Sequence, residues 1–126
     1  MKAITITTNN LILLTEVKAN GHKLYELIRN VIGGHMEHVY APMLPAEYVM
    51  TVNEDGKLNG LPVNQIASFL YKSFLHGDYI VGDVIILKLG KYKGESDVVG
   101  LSDAEANDLM NKLSLFEETP VGEVVK

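Results

Sequence analysis

The sequence predicts an α+β domain in which a mixed, largely antiparallel sheet of four to five strands is packed by two or three helices. Three observations carry the expectation. Leu24, Leu27, Ile28 and Val31, and again Ala106, Leu109, Met110 and Leu113, fall at i, i+3, i+4 and i+7, the period of one helical face. Short β-branched runs alternate at Ile4-Thr5-Ile6-Thr7 and are continuous at Val84-Ile85-Ile86-Leu87, the signatures of a half-buried strand and a fully buried one. The chain has 126 residues, enough for one hydrophobic core and little more.

Taken in order, Ile4 and Ile6 share a face, and Asn9-Asn10 separates them from a second apolar run, Leu11 to Leu14, so the first element is a β-hairpin. Asn20 is the expected N-cap of the first helix, and Gly33-Gly34 its stop. Met36–Tyr40 and Tyr48–Val52 read as strands, joined irregularly through Pro42 and Pro45, which lack donors and have a fixed φ. Asn53-Glu54-Asp55-Gly56-Lys57 has the composition of a tight turn, with Gly56 expected at positive φ. Asn64, or a residue just before Pro62, then caps a helix whose buried stripe is Ile66, Phe69, Leu70 and Phe74, ended by Gly77-Asp78. Val84–Leu87 is the expected central strand, followed by a lysine-bearing hairpin end at Lys88, Lys91 and Lys93. Ser102 and Glu105 have capping-box spacing before the last helix. The globular domain is expected over 1–116, with 117–126, which carries Pro120 and Gly122, a loose tail.

Composition narrows the function classes. Sixteen acidic residues against eleven basic ones give a net charge of −5, so duplex nucleic acid is not an expected partner. No run approaches the roughly 18 apolar residues of a membrane span, and the alternating N-terminus lacks the continuous apolar stretch of a secretory signal. With no cysteine, thiolate zinc sites, iron–sulfur clusters, disulfides and thiol catalysis are excluded. A cytoplasmic protein is expected.

Familiar chemical signatures fail on their spacing. His35-Met36-Glu37-His38 lacks both the zincin order H-E-x-x-H and the cysteine pair of zinc deaminases. On a strand His35 and Glu37 would share a face, too few for a metal unless His22 or His76 joined them. A calcium loop beginning at Thr51 would place Pro62 where a bidentate glutamate belongs. There is no Walker loop, dinucleotide fingerprint or nucleophile elbow. Neither a metal nor a cofactor is expected.

Three segments, Gly33-Gly34-His35-Met36-Glu37, Asn53-Glu54-Asp55-Gly56-Lys57-Leu58-Asn59-Gly60-Leu61-Pro62-Val63-Asn64 and Ile80-Val81-Gly82-Asp83-Val84, together resemble a small bacterial and phage family catalogued only as a domain of unknown function. The resemblance covers residues 20 to 90. It implies a phage or mobile-element setting, a cytoplasmic location and no established catalytic role, and it marks Gly33, Gly34, Glu37, Glu54, Gly56, Asn64, Gly82 and Asp83 as matching positions.

The candidate binding residues are Gly34, Glu37, Asn53, Glu54, Asp55, Lys57, Asn64 and Asp83. Turn chemistry accounts for glycine, Asn64 and Asp83 without a ligand. Glu37 is the most pointed candidate, because a carboxylate in mid-strand is costly if buried alone. The leading expectation is a non-catalytic binding protein that engages a host protein or a small ligand. One alternative is an oligomeric protein that sequesters a nucleotide, with Lys57 or Lys91 near its phosphate. The other is a hydrolase using Glu37 with His35 or His38.

Overall fold

A computed structural model describes residues 1–118. The strands are β1 (Lys2–Ile6), β2 (Ile12–Glu16), β3 (Met36–Tyr40), β4 (Tyr48–Asn53), β5 (Val84–Tyr92) and β6 (Glu95–Val99). The helices are α1 (His22–Ile32), α2 (Gln65–Leu70), α3 (Ser73–His76) and α4 (Asp103–Glu118). The α+β class is as expected. Among the described residues the sheet has six strands rather than four to five, and every pairing between them is antiparallel.

The sheet runs β2-β1-β5-β4-β3, with β6 also paired to β5. Val84–Leu87 is central, as its two-sided apolarity predicts: Ile85 stands between Thr5 of β1 and Thr51 of β4. Beyond Leu87 the strand continues to Tyr92, and turns back as β6 through the hairpin at Lys93-Gly94. The lysine cluster therefore lies on this hairpin.

Alternation divides the sheet into two faces, each with its own core. On one, Leu24, Ile28 and Ile32 of α1 pack on Ala3, Val49, Ile85, Leu87 and Val98. On the other, Ile66, Ala67 and Leu70 of α2 and Ala106, Leu109 and Leu113 of α4 cover Ile4, Ile6, Met50, Val84 and Ile86. Both periodic stripes thus bury the residues that define them, apart from Leu27, Val31 and Met110, which are partly buried at the margins.

Several local expectations are corrected. Asn20 does not cap α1: the N-cap is Gly21, with no side-chain hydrogen bond, and Asn20 Oδ1 instead accepts the Gly100 N–H at 2.9 Å. That bond ties the approach to α1 to the end of β6. Gly56 is not at positive φ; it is buried, and a Cβ there would stand 2.7 Å from Val81 Cγ2, so close packing is what requires glycine.

The helix expected over Ile66 to Phe74 breaks at Lys72, which takes φ 58°. The cause is polar. Ser68 Oγ accepts the Ile80 N–H at 2.9 Å and donates to the Ile80 carbonyl at 3.1 Å, while Ser73 Oγ donates to the Asp78 carbonyl at 2.7 Å. These two serines are buried, and they draw residues 78–80 onto α2 and α3. Phe69 and Phe74 are consequently exposed instead of forming the buried stripe. At the C-terminus the capping box forms as predicted, with Ser102 N–H donating to Glu105 Oε1 at 2.8 Å and Glu105 N–H to Ser102 Oγ at 3.1 Å. The helix runs to Glu118, past the expected boundary at 116, and the rest of the expected tail lies outside the described residues.

Candidate functional site

In the β3–β4 ladder Glu37 lies opposite Val52, whose side chain belongs to the α2–α4 face. Glu37 therefore projects on that side. Because β3 is an edge strand, the carboxylate is exposed and escapes the burial cost that the sequence reading weighed. It lines a cleft of 160 Å³ between the 53–57 turn and the 78–81 segment, with Glu54, Lys57, Tyr71, Asp78 and Tyr79 among its walls. Lys57 and Asp78 form an ion pair there.

Four of the eight expected binding residues, Glu37, Asn53, Glu54 and Lys57, line this cleft. Asn53 does so mainly as a brace: it is buried, its Nδ2 donates to the Ile32 carbonyl at 3.2 Å and its Oδ1 accepts the Asp55 N–H at 2.9 Å. Gly34 makes room for it, since a Cβ at 34 would stand 2.9 Å from Asn53 Nδ2. Asp55 turns aside to His35, whose Nδ1 is 3.2 Å from Asp55 Oδ2.

The remaining two residues face into the fold. Asn64 is fully buried; its Nδ2 donates to the carbonyls of Ile6 and Gly82, both at 2.9 Å, and its Oδ1 accepts the Ala67 N–H at 3.0 Å. It caps α2 as expected and locks that helix to the ends of β1 and the Gly82 turn. Asp83 Oδ1 accepts the Thr8 N–H at 3.0 Å and holds the first hairpin's turn.

His35 precedes β3, and no hydrogen bond joins Glu37 to either neighbouring histidine. His38 is on the opposite side of the sheet, with Nδ1 2.8 Å from Thr51 Oγ1. Burial holds the His38 imidazole below its usual range, against the opposing field of Asp97.

Next to the cleft lies a larger, mostly apolar depression of 620 Å³, walled by Val63, Phe69, Phe74, Leu75 and Tyr79. Tyr79 borders both hollows. The aromatic rings make a continuous ledge: Phe69 and Phe74 are 5.6 Å apart between centroids, and Phe116 of α4 meets Phe69 edge-on at 5.5 Å. Phe74 is 63% and Leu75 69% exposed. This ledge was missed from sequence, because Phe69 and Phe74 also fit a buried helical stripe.

The family described as Domain of unknown function (DUF3846) matches residues 1–114. The chain belongs to that family. The match reaches well beyond the 20–90 of the sequence resemblance, so the DUF3846 domain takes in the first hairpin and most of α4. No curated protein and no solved structure matches the chain. In this DUF3846 domain, no described helix is long and apolar enough to cross a membrane.

Proposed function

We propose that this DUF3846 domain is a non-catalytic binding protein that engages a partner protein through the ledge and cleft of its α2–α3 side. The observation that carries the reading is the exposed group Phe69, Phe74, Leu75 and Tyr79, beside a cleft bordered by Glu37, Glu54, Lys57 and Asp78. Aromatic anchors with a charged border are the composition of protein-binding surfaces. A contiguous exposed apolar patch is otherwise disfavoured in a protein that works alone. The cleft alone, at 160 Å³, is small beside the roughly 300–1,000 Å³ that envelop an ordinary small ligand. The adjoining depression, at 620 Å³, has the volume for such a ligand, but its described lining is mostly apolar and carries no charged residue to meet a phosphate, so its chemistry favours a protein over a nucleotide. The motif resemblance supports a phage or mobile-element setting in the cytoplasm, and in that setting the partner we propose is a host protein.

Affinity capture from host cell extract with the full chain tests this, using Phe74→Asp and Glu37→Ala as paired controls. The expected result is one stoichiometric protein that is lost with Phe74→Asp and reduced with Glu37→Ala. A protein retained equally by both variants, or a co-purifying nucleotide without any protein, would overturn the reading.

A further inference from the structure

At the open end of the β3–β4 ladder, one imidazole meets two carboxylates. His35 immediately precedes β3, while Glu54 and Asp55 immediately follow β4. Antiparallel pairing of Met36 with Asn53 brings the flanking residues together, and the Glu54 N–H donates to the His35 carbonyl at 2.8 Å. Ligand atoms from all three side chains lie within 4.8 Å of one another.

Donors held by a zinc-like cation at about 2.0–2.1 Å stand roughly 3 Å from one another. His35 Nδ1 and Asp55 Oδ2, 3.2 Å apart, already have that separation. Glu54 is exposed, so its carboxylate can rotate to complete the set. Asp55 is held more firmly, because its N–H is bonded to Asn53, which is itself buried and anchored to Ile32. An all-oxygen cluster would suit magnesium or calcium; the imidazole moves the preference to borderline first-row ions.

We propose that His35, Glu54 and Asp55 form a surface site for a divalent first-row transition cation of the zinc or cobalt type. The ion takes the place of the hydrogen between Nδ1 and Oδ2, and the ring then carries its proton on Nε2. Three protein ligands leave coordination positions open to solvent. Because Glu54 also walls the cleft, the ion stands at the cleft's rim. Sequence spacing pairs His35 with Glu37 and leaves any further ligand to His22 or His76; strand register instead brings Glu54 and Asp55 to His35, in a cluster that leaves Glu37 out.

The test is titration of the purified, metal-free full chain with Co²⁺, followed by visible absorption, and then competition with Zn²⁺. The expected result is saturation at one equivalent, with bands that Zn²⁺ displaces. Loss of an outer-shell partner already weakens a metal site about tenfold or more, so His35→Ala and Asp55→Asn, which remove direct ligands, should each weaken binding by at least that factor. His35 is 84% exposed, so its removal leaves the core untouched. His22→Ala, which removes a separate exposed pair with Glu26 at 3.8 Å, should change nothing. Absence of saturable binding in the parent protein, or binding undiminished in His35→Ala, would overturn the proposal. Capture of a partner protein has no bearing on either outcome.

Discussion

The hydroxyl of Tyr25 on α1 donates a 2.7 Å hydrogen bond to Asp97 Oδ1 on β6, fastening the helix to the last strand of the sheet. Burial, reinforced by that carboxylate, pushes the phenol up to about 12. In the unfolded chain it ionises near the ordinary value of about 10. Between those values the unfolded chain gives up a proton that the native chain keeps. The contribution is therefore complete below about pH 10 and is lost as pH rises toward 12, by up to about 2 kcal/mol after allowance for partial exposure. Urea unfolding across this range should show a falling alkaline limb that Tyr25→Phe flattens. Equal limbs in the two proteins would refute the assignment.

On the acid side the corresponding group is Glu105. Its hydrogen bond from Lys88 Nζ, 2.7 Å long, and the Ser102 capping contacts lower its carboxyl from the usual carboxylate range. A depressed carboxyl stabilises above its unfolded value, and the contribution disappears as pH falls through the folded one. With side chains 30% and 25% exposed, Lys88→Met should cost about 1 kcal/mol near neutral pH and progressively less in acid. Ser102→Ala should cost about 1 kcal/mol as a lost N-cap. Denaturation of both variants at neutral and acid pH checks the two effects. A cost for Lys88→Met that persists in acid would assign it to packing of the lysine stem instead.

Asn64 was legible in the sequence as a cap, but its larger duty was not. One amide joins α2 to the carbonyls of Ile6 and Gly82, 58 and 18 residues away in the chain. Replacement by alanine removes three hydrogen bonds, one of them the cap of α2, from a fully buried position, a cost of about 3 kcal/mol. Chemical denaturation measures it. A loss below about 1 kcal/mol would mean that water reaches these carbonyls.

What the sequence revealed follows physical range. The stripes of α1 and α4, the capping box and the apolar run of β5 are local patterns, and the fold keeps them, whereas the stripe expected from Ile66 to Phe74 is broken by the distant partners of Ser68 and Ser73. The cleft was half legible: Glu37, Glu54 and Lys57 stood out as polar residues without a packing role, whereas Tyr71 reaches it from the C-terminal end of α2, and Asp78 and Tyr79 only through the path of the chain after Lys72. The clustering of His35 with Asp55 depends on β3–β4 register, which no local spacing encodes. Asn20 has the composition of a cap, yet a bond to Gly100, 80 positions away, takes its side chain.

The break at Lys72 decides between two stability outcomes for the ledge. A continuous helix burying Phe74 would lose about 3–5 kcal/mol on truncation of that ring. With Phe74 63% and Leu75 69% exposed, the double change Phe74→Ser and Leu75→Ser should alter unfolding free energy by no more than about 0.5 kcal/mol per site. The break itself rests on Ser68 and Ser73. Ser68→Ala leaves the Ile80 N–H and carbonyl without their shared hydroxyl and should cost about 2 kcal/mol. Parallel urea titrations of the double serine variant and Ser68→Ala thus have opposite expectations. A large loss from the surface pair with none from Ser68→Ala would mean that the aromatic residues pack inward and that the proposed binding ledge is part of the core.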